Sequence, residues 1–371
     1  MEKNASSMEK KERMQEVEAG QQYESNHHLA HQENPQGKSN RGKARSASVA
    51  LLLSVVLSIS LIGCGTKQEP TKGKESASPS STVAAVKETP KAVDKKGKQT
   101  TYPLTVKDAS GTEITFDKAP ERVTTISASE TEVLFALGAG DKVFGVDKYS
   151  NYPLEAKSKA QVGDMNTNLE ALIATKPDVV FAGFSTNRKV IDKLRELKIK
   201  VYAGEPKTID QVIEKIETIG NIMNLQDNAQ KVTDTMRAEK KKIVDLLANA
   251  PKKKVYLEFD PGWTVGDGEF LSELVALAGG TNVAGGKKGW YKIDPEAIIK
   301  ANPEVILYTK PDPGQISVLD EINKRTGWDK IDAMKNKQVF GLEMDPLVRV
   351  GPRITQGLLS VAKAVHPELV K

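Results

Sequence analysis

The chain of 371 residues is long enough for about two domains, and its hydrophobic content of 38% is enough to form their cores. Lysine and arginine number 54 and aspartate and glutamate 49, so the net charge of +5 indicates no basic surface for nucleic acid. Cys64 is the only cysteine, and His366 is the only histidine beyond residue 31, which excludes a disulfide framework, a cysteine-rich metal site and a Ser-His-Asp site.

Residues 1–63 are predicted to be a polar tail followed by a signal peptide. Residues 49–62 form an unbroken run of 14 aliphatic and serine residues behind four basic ones. That length is typical of a secretory h-region, about 7–15 residues, and is below the roughly 20 that a spanning helix needs. The run ends in Leu61-Ile62-Gly63-Cys64, which resembles a lipobox. We predict cleavage before Cys64 and lipid attachment to its sulfur, and a short membrane anchor with an incidental cysteine is the alternative.

Residues 64–100 are predicted to be a disordered tether. The segment is rich in lysine, serine, threonine, proline and glycine, and it has few large apolar residues. Such a tether holds a folded domain near the membrane without fixing its orientation. We therefore expect an extracytoplasmic protein that a lipid anchors to the cell membrane.

An N-terminal α/β lobe is predicted over residues 101–226. Apolar and polar residues alternate over 104–116 around a Ser-Gly pair, which indicates a β-hairpin. Beyond the hairpin, short β-branched segments alternate with helical patterns, as in a parallel sheet. The predicted strands are 122–126, 143–146, 179–182 and 199–202, and the predicted helices include 130–137, 187–197 and 209–222.

A connecting long helix is predicted within residues 227–250, and a C-terminal α/β lobe over residues 251–371. About 20 residues of helix span roughly 30 Å, which is enough to join two lobes. The predicted strands of the second lobe are 255–259, 305–308 and 338–342, its helices are 271–277, 317–323 and 353–365, and its main loops are 260–266, 288–291 and 343–352.

Two pairs of segments indicate that the second lobe repeats the first. Residues 170–180 read Glu-Ala-Leu-Ile-Ala-Thr-Lys-Pro-Asp-Val-Val, and residues 296–306 read Glu-Ala-Ile-Ile-Lys-Ala-Asn-Pro-Glu-Val-Ile. Each copy has the form of a short helix that stops at a proline and is followed by a buried strand. Upstream of each copy, residues 132–138 and 273–279 form a second similar pair. We therefore predict two related lobes, each with a glutamate at the start of its repeat.

Aromatic and polar residues collect in the loops that follow the predicted strands. Ligands of open α/β sheets bind beyond the carboxyl ends of the strands, so in a chain with 5% aromatics this placement predicts a cleft for a large planar ligand. Packing in the core is the alternative for each aromatic residue, and an internal ion pair is the alternative for the last two residues of the set. The predicted ligand-binding residues are Tyr149, Tyr152, Met165, Trp263, Trp290, Tyr291, Asp345 and Arg349.

Seven short motifs together carry a family resemblance. They are Pro120-Glu121-Arg122-Val123, Thr131-Glu132-Val133-Leu134-Phe135-Ala136-Leu137-Gly138, Tyr149-Ser150-Asn151-Tyr152-Pro153, Asn168-Leu169-Glu170, Lys176-Pro177-Asp178-Val179-Val180, Ala278-Gly279-Gly280-Thr281-Asn282-Val283 and Gly351-Pro352-Arg353-Ile354. On these residues the chain resembles the ABC-transporter substrate-binding proteins for cobalamin, ferric siderophores and haem. The resemblance implies two Rossmann-like α/β lobes joined by a single long helix, with a ligand cleft between the lobes and little hinge motion.

The resemblance also implies partners. Glu170 and Glu296 are similar to the surface glutamates, one per lobe, that pair with arginines on the permease dimer of such transporters. It implies a monomer that binds a small-molecule metal chelate, holds no resident cofactor, and docks on a permease dimer with its ATPase.

The resemblance leaves the chelate open. The loop at residues 149–153 and the pair of Asp345 with Arg349 are most similar to cobalamin binders, although the segment before the first repeat lacks the tryptophan that those proteins can place there. A ferric siderophore would need only the aromatic residues and Arg349. Haem would need an axial ligand, which Tyr149 or Met165 could supply.

Two other classes of function compete with this interpretation. One is an extracellular enzyme on the same scaffold, which no nucleophile–base pair, paired histidines or nucleotide loop supports. The other is an adhesive surface lipoprotein, which would not need a cleft. We predict a non-enzymatic solute-binding lipoprotein that delivers an iron–siderophore or cobalamin-type chelate to an ABC importer, with a haem-binding lipoprotein of the same family as the alternative.

Overall fold

The computed structural model describes residues 97–311 and 314–371. The predicted tail and signal peptide, the lipid site at Cys64 and the tether as far as residue 96 lie outside the described residues. Within the described ranges, no helix is both long enough and apolar enough to cross a membrane.

The described chain alternates strands and helices. The strands are β1 (Leu104–Lys107), β2 (Glu113–Phe116), β3 (Val123–Thr125), β4 (Val143–Val146), β5 (Ala160–Gln161), β6 (Val179–Gly183), β7 (Val201–Gly204), β8 (Lys253–Asp260), β9 (Trp263–Val265), β10 (Gly280–Asn282), β11 (Trp290–Lys292), β12 (Val305–Thr309) and β13 (Val339–Leu342). The helices are α1 (Ala128–Ala136), α2 (Leu169–Ala174), α3 (Phe184–Glu196), α4 (Ile209–Ile222), α5 (Gln226–Leu247), α6 (Phe270–Leu277), α7 (Pro295–Ala301), α8 (Val318–Lys324), α9 (Asp332–Lys335), α10 (Met344–Val348) and α11 (Ile354–Val365).

The N-terminal lobe is built on a parallel sheet with the order β5-β4-β3-β6-β7. Its central strands are runs of β-branched and aromatic residues that are buried on both faces, as expected when helices cover both sides of a parallel sheet. The hairpin β1–β2 pairs in antiparallel register from Leu104 with Phe116 to Lys107 with Glu113. The predicted hairpin and parallel α/β lobe are both confirmed.

The C-terminal lobe repeats the same strand order. Its strands run β10-β8-β12-β13, all parallel, which matches β4-β3-β6-β7 of the first lobe. In both lobes the short helix with the repeated Glu-Ala-x-Ile sequence precedes the third strand of this order. The sheet topology therefore agrees with the duplication that the two pairs of segments predict.

The three loops predicted in the C-terminal lobe are wrong. Strand β9 lies within 260–266, and strand β11 begins within 288–291. The two strands pair antiparallel, and β9 also pairs with the end of β8. Gly262 makes the turn possible with a φ of +78°, and its N–H donates to Oε1 of Glu258 at 2.7 Å. The β-branched Thr264 and Val265 suit the extended backbone that follows. The predicted loop at 343–352 likewise contains helix α10.

Helix α5 links the two lobes, as predicted. Its buried residues Ala229, Met236, Ile243 and Leu247 form one stripe of the helix. This stripe packs against α4 of the N-terminal lobe and α11 of the C-terminal lobe. Helix α5 therefore contacts a helix of each lobe, and these contacts favour a fixed orientation of one lobe relative to the other. The domain boundaries at 226 and 250 stay predictions.

Candidate functional site

The carboxyl edges of the two sheets meet along an interface of charged side chains. Every contact described below comes from a segment that directly follows a strand: α1 follows β3, and the loop at residues 147–153 follows β4. The segment before α4 follows β7, and the segment from α10 to α11 follows β13. Open α/β sheets bind ligands at this edge, so the interface forms the floor of the predicted cleft.

The first contact between the lobes is centred on Glu132 of α1, which is 3% exposed. Its carboxylate accepts a bond of 2.9 Å from Nη1 of Arg349. It also accepts bonds of 2.8 Å and 2.6 Å from Nε and Nη2 of Arg353. Asp345 completes the group with a 2.9 Å ion pair to Arg349. Two arginines of the C-terminal lobe are thus balanced by one carboxylate from each lobe.

A second ion pair lies beside this group and is more deeply buried. Nζ of Lys215, on α4, lies 2.6 Å from Oε1 of Glu130, and their side chains are 4% and 1% exposed. Lys215 also donates to the carbonyl of Val350 in the C-terminal lobe at 2.9 Å. Burial acts to raise the pKa of Glu130, but the charge and the hydrogen bond of Lys215, with smaller contributions from Ser127 and Ser129, outweigh it and lower the pKa.

Asp147 adds a further buried carboxyl to the same corner. It is 6% exposed and accepts a hydrogen bond from the hydroxyl of Ser150, whose oxygen lies 2.6 Å from that of Thr131. Burial raises the pKa of Asp147, and the Ser150 bond and the charge of Arg349 offset only part of that effect. The first contact, the pair of Lys215 with Glu130, and Asp147 together therefore have no excess of positive charge that could hold an anion.

The second contact between the lobes lies at the start of α4. Nζ of Lys207 lies 3.0 Å from Glu269 and 3.1 Å from Glu205. Oε2 of Glu273, on α6, accepts the backbone N–H of Ile209 at 2.7 Å. Burial raises the pKa of both Glu269 and Glu273. Glu273 occupies the position in the second lobe that Glu132 occupies in the first. Each glutamate bonds to residues of the opposite lobe near the start of a helix: Glu132 near α11 and Glu273 at α4.

Replacing Glu273 with glutamine should lower the free energy of unfolding by about 1–2 kcal/mol. The charged acceptor at the first turn of α4 becomes neutral, and a hydrogen bond to a charged group is worth more than one to a neutral group. Urea denaturation of the two purified full chains measures the difference. An unchanged midpoint would show that this contact adds nothing to the joint between the lobes.

Four of the predicted ligand residues lie together at the first contact. Nη2 of Arg349 donates to the carbonyl of Tyr149 at 3.1 Å and pairs with Asp345. The guanidinium of Arg353 lies 4.0 Å from the ring centroid of Tyr152, which is 46% exposed. The internal ion pair considered for Asp345 and Arg349 is therefore present, and it belongs to a network that holds the tyrosine loop.

The predicted aromatic residues of the C-terminal lobe lie on strands β9 and β11, which pair antiparallel. Trp290 is half-buried, packs edge-on against Phe259 with ring centroids 4.5 Å apart, and interacts with Glu269 of the second contact. The hydroxyl of Tyr291 donates to the carbonyl of Ala284. Trp263 is 7% exposed and is part of the core, because its strand is covered by the rest of the lobe. This burial agrees with the core packing that was the alternative for Trp263.

Met165 is half-buried in a short loop beside a polar cavity of about 380 Å³ at the carboxyl edge of the first sheet. Gly163 and Thr167 pair across this loop. The cavity is lined by Lys148, Gln161, Gly163, Asp164, Asn166 and Asn168. Met165 therefore borders polar groups instead of an aromatic wall.

The two repeated glutamates occupy equivalent places. Glu170 and Glu296 are both exposed in the first turns of α2 and α7, behind the capping residues Asn168 and Asp294. Asn168 accepts the N–H of Ala171 at 3.0 Å, and Asp294 accepts that of Glu296 at 3.0 Å. Neither glutamate carboxylate forms an ion pair with any residue that the structure describes.

Comparison with known proteins identifies the class of this chain. The model of the periplasmic binding protein family matches residues 123–346, which is more than half of the chain. The chain therefore belongs to the periplasmic binding protein family. Its relatives are substrate-binding proteins of ABC transporters, so this chain is an extracytoplasmic binding protein and not an enzyme.

Individual relatives are similar over most of the folded part. An uncharacterized ABC transporter substrate-binding lipoprotein of Bacillus subtilis, YvrC, is 32% identical over 290 residues, which cover 75% of this chain and 91% of the relative. A cobalamin-binding protein of Halobacterium salinarum is 31% identical over 275 residues, 71% of this chain and 74% of the relative. The solved structure of a possible iron-binding periplasmic solute-binding protein of Staphylococcus epidermidis has a TM-score of 0.60 at 29% identity, over 67% of this chain and 100% of that one.

Sequence reasoning did not assign a role to several residues of this site. Glu132 and Glu273 form a repeated pair, and that repetition points to an equivalent role. Glu132 and Arg353 also stand in motifs that carry the family resemblance, but those motifs gave neither residue a role. The other residues could not be assigned from sequence, because their partners lie far along the chain. They are Glu130, Asp147, Lys207, Lys215 and Glu269.

Proposed function

We propose that this protein captures an uncharged metal chelate of the corrinoid type between its lobes and delivers it to an ABC importer. The observation that carries the proposal is the pairing of Arg349 and Arg353. Both guanidinium groups are bound to Glu132, and Asp345 lies 2.9 Å from Arg349. Neither arginine retains an unbalanced charge.

This balance disfavours polyanionic ligands. Ferric catecholates carry several negative charges, and a buried site holds an anion well only where cations or N–H donors are free to pair with it. An anion near Arg349 would have to displace Glu132 and leave that buried carboxylate without its partners, which is costly. An uncharged chelate can bind near Arg349 without displacing Glu132.

The aromatic side chains supply the complementary surface. Tyr149 and Tyr152 lie at the first contact and Trp290 interacts with Glu269 of the second, so flat apolar groups are present on both lobes. A broad, flat ligand that spans the cleft would bury these rings. The name of the Halobacterium salinarum relative, cobalamin-binding protein, supports a corrinoid as this ligand.

Two other chelates are the competing ligands. The similarity to a possible iron-binding protein of Staphylococcus epidermidis favours a ferric siderophore, and a neutral hydroxamate complex would meet the same charge requirement. Haem would need an axial ligand from Tyr149 or Met165, both of which are half-buried in loops of the N-terminal lobe.

Quenching of tryptophan emission in the purified full chain tests the choice of ligand. Cyanocobalamin, a ferric hydroxamate, a ferric catecholate and haemin are titrated separately, with correction for their own absorbance. We expect saturable quenching by cyanocobalamin at micromolar concentration, at least tenfold tighter than any effect of the catecholate. Trp290→Phe should remove most of the quenching, and Trp328→Phe, which replaces a buried tryptophan outside the site, is the matched control. Tighter binding of the catecholate would overturn the proposal.

The remaining predictions concern anchoring and docking. We propose that the chain is a lipoprotein, cleaved before Cys64 and anchored by lipid at that residue, and that it acts as a monomer. Glu170 and Glu296, exposed at equivalent positions of two related lobes, would each meet one subunit of a permease dimer that carries the ATPase. The name of the Bacillus subtilis relative supports both the lipoprotein and the transporter.

A further inference from the structure

The loop that carries Tyr149 and Tyr152 is held from the opposite lobe. This loop follows β4 in the N-terminal lobe, yet two arginines of the C-terminal lobe contact it. Arg349 donates to the carbonyl of Tyr149, and Arg353 stacks on the ring of Tyr152. Both arginines are in turn bound to Glu132, which belongs to the N-terminal lobe again.

We propose that Glu132 is a positioning residue for the ligand wall. It acts through Arg349 and Arg353 and fixes the place of the loop at residues 149–153 relative to the cleft. The effect of Glu132 on ligand affinity rests on the proposed function, whereas its effect on the loop does not.

The geometry of the two arginines supports this role. Glu132 accepts three guanidinium bonds of 2.6–2.9 Å and is 3% exposed, so its carboxylate sets the planes of both groups. Asp345 is the other carboxylate that forms ion pairs with them, and its side chain is 39% exposed. Arg353 lies 3.6 Å from Asp345, too far for a strong bond. Without Glu132, Arg353 would therefore lose the partner that keeps it against Tyr152.

The tyrosine loop depends on these contacts. The carbonyl of Tyr149 accepts both Nη2 of Arg349 and the backbone N–H of Asn151, the latter at 2.9 Å. The ring of Tyr152 is half-exposed, so the guanidinium of Arg353 is a main neighbour on its face. Movement of the two arginines would free the carbonyl of Tyr149 and the ring of Tyr152, although Ser150 between them keeps its bonds to Asp147 and Thr131.

Glu273 offers a matched control within the same molecule. It occupies the equivalent position of the duplicated unit and also bonds across to the opposite lobe. Its partner, however, is the backbone N–H of Ile209, which makes no contact with the tyrosine loop. Glu273→Gln therefore removes a comparable carboxylate from the joint between the lobes without touching the proposed positioning network.

Hydrogen–deuterium exchange of the full chain without ligand tests the proposal directly. In Glu132→Gln the backbone amides of residues 149–154 should exchange at least tenfold faster than in the unaltered chain. In Glu273→Gln the faster exchange should appear around Ile209, and residues 149–154 should be unchanged. Unchanged exchange of residues 149–154 in Glu132→Gln would overturn the proposal.

A milder variant keeps the test decisive if Glu132→Gln unfolds. Arg353→Lys retains the charge but loses the flat guanidinium. It should raise the hydrogen–deuterium exchange of residues 149–154. Its unfolding midpoint should equal that of the Glu273→Gln protein within experimental error. No local change in Arg353→Lys would count against the proposal in the same way.

A double-mutant cycle with cyanocobalamin as the probe tests the consequence for binding. Tyr152→Ala should weaken binding about tenfold in the unaltered chain and less than threefold in Glu132→Gln, because the ring is already displaced there. In the Glu273→Gln background the full tenfold effect should remain. Equal effects in both backgrounds would overturn the proposal. If the unaltered chain binds no cyanocobalamin, the proposed ligand class fails and the exchange experiment alone decides the role of Glu132.

Discussion

Uptake of ligand should fall by at least about 100-fold when Glu170 and Glu296 are both replaced with arginine, because like charges that face each other across an interface cost several kcal/mol. Both carboxylates are exposed, occupy the same place in the two repeats and form no ion pair within the described residues. Under the proposed docking, a cationic permease surface that is attracted to the two glutamates would meet two repulsive charges in the variant. The measurement is uptake of labelled cyanocobalamin by cells that carry the altered chain as their only copy.

Ligand affinity and a second double variant are the controls for this prediction. The affinity of the purified protein should be unchanged, since the glutamates lie outside the network that holds the tyrosine loop. Glu113→Arg with Glu214→Arg makes the same change of charge at exposed positions on β2 and α4, and it should leave uptake within about twofold, as surface substitutions away from a partner usually do. Normal uptake by the Glu170 and Glu296 variant would refute the docking assignment, and loss of affinity would place these residues in the ligand site instead.

Lys215→Met should lower the free energy of unfolding by about 3–5 kcal/mol, the usual cost of leaving one member of a buried ion pair without its partner. The variant leaves the carboxylate of Glu130, which is 1% exposed, without its cationic partner. It also removes the donor to Val350, so one link between the lobes is lost. Urea denaturation followed by circular dichroism measures the change.

Two comparisons separate the charge effect from the loss of packing. Adding Glu130→Leu to Lys215→Met should restore most of the stability, because a buried ion pair can be replaced by apolar residues at little net cost. Lys240→Met removes a lysine whose partner Asp210 is 68% exposed, and it should cost less than about 1 kcal/mol. Equal losses from Lys215→Met and Lys240→Met would contradict the view that the interface between the lobes rests on buried charge.

The architecture could be predicted from sequence because its signals are local. Runs such as Val179–Gly183 are apolar throughout and begin with two β-branched valines, and the stripe along α5 recurs at helical spacing. The repeated helix–proline–strand segments then relate one lobe to the other. These patterns involve residues that are close together in sequence, so they can be read without knowledge of the tertiary structure.

The site was harder to predict, because its contacts join residues that are distant in sequence. Glu132 and Arg349 are separated by 217 positions, and nothing near either residue indicates the other. Arg349 was predicted to bind the ligand because it is a polar residue in a loop. An arginine in that position can bind a ligand or a carboxylate equally well. Only the positions of Glu132 and Asp345 distinguish these two roles.

Trp263 shows how an aromatic residue can mislead. It follows Asp260-Pro261-Gly262, and this turn sequence predicted a loop in which Trp263 could bind the ligand or pack in the core. The turn is only two residues long, however, and the chain returns at once into β9, whose residues are all buried. A tryptophan beside a turn is thus ambiguous from sequence, since a short hairpin and an open loop begin with the same residues.

Titration calorimetry of cyanocobalamin into the full chain, at low and at high ionic strength, tests the central claim most directly. We expect one site per chain with a Kd of about 1 μM or tighter, which corresponds to about −8 kcal/mol. The Kd should change less than about twofold between the two salt concentrations, because the ligand is uncharged and the arginines are already paired. No heat of binding, or an affinity that falls steeply with salt, would contradict the account.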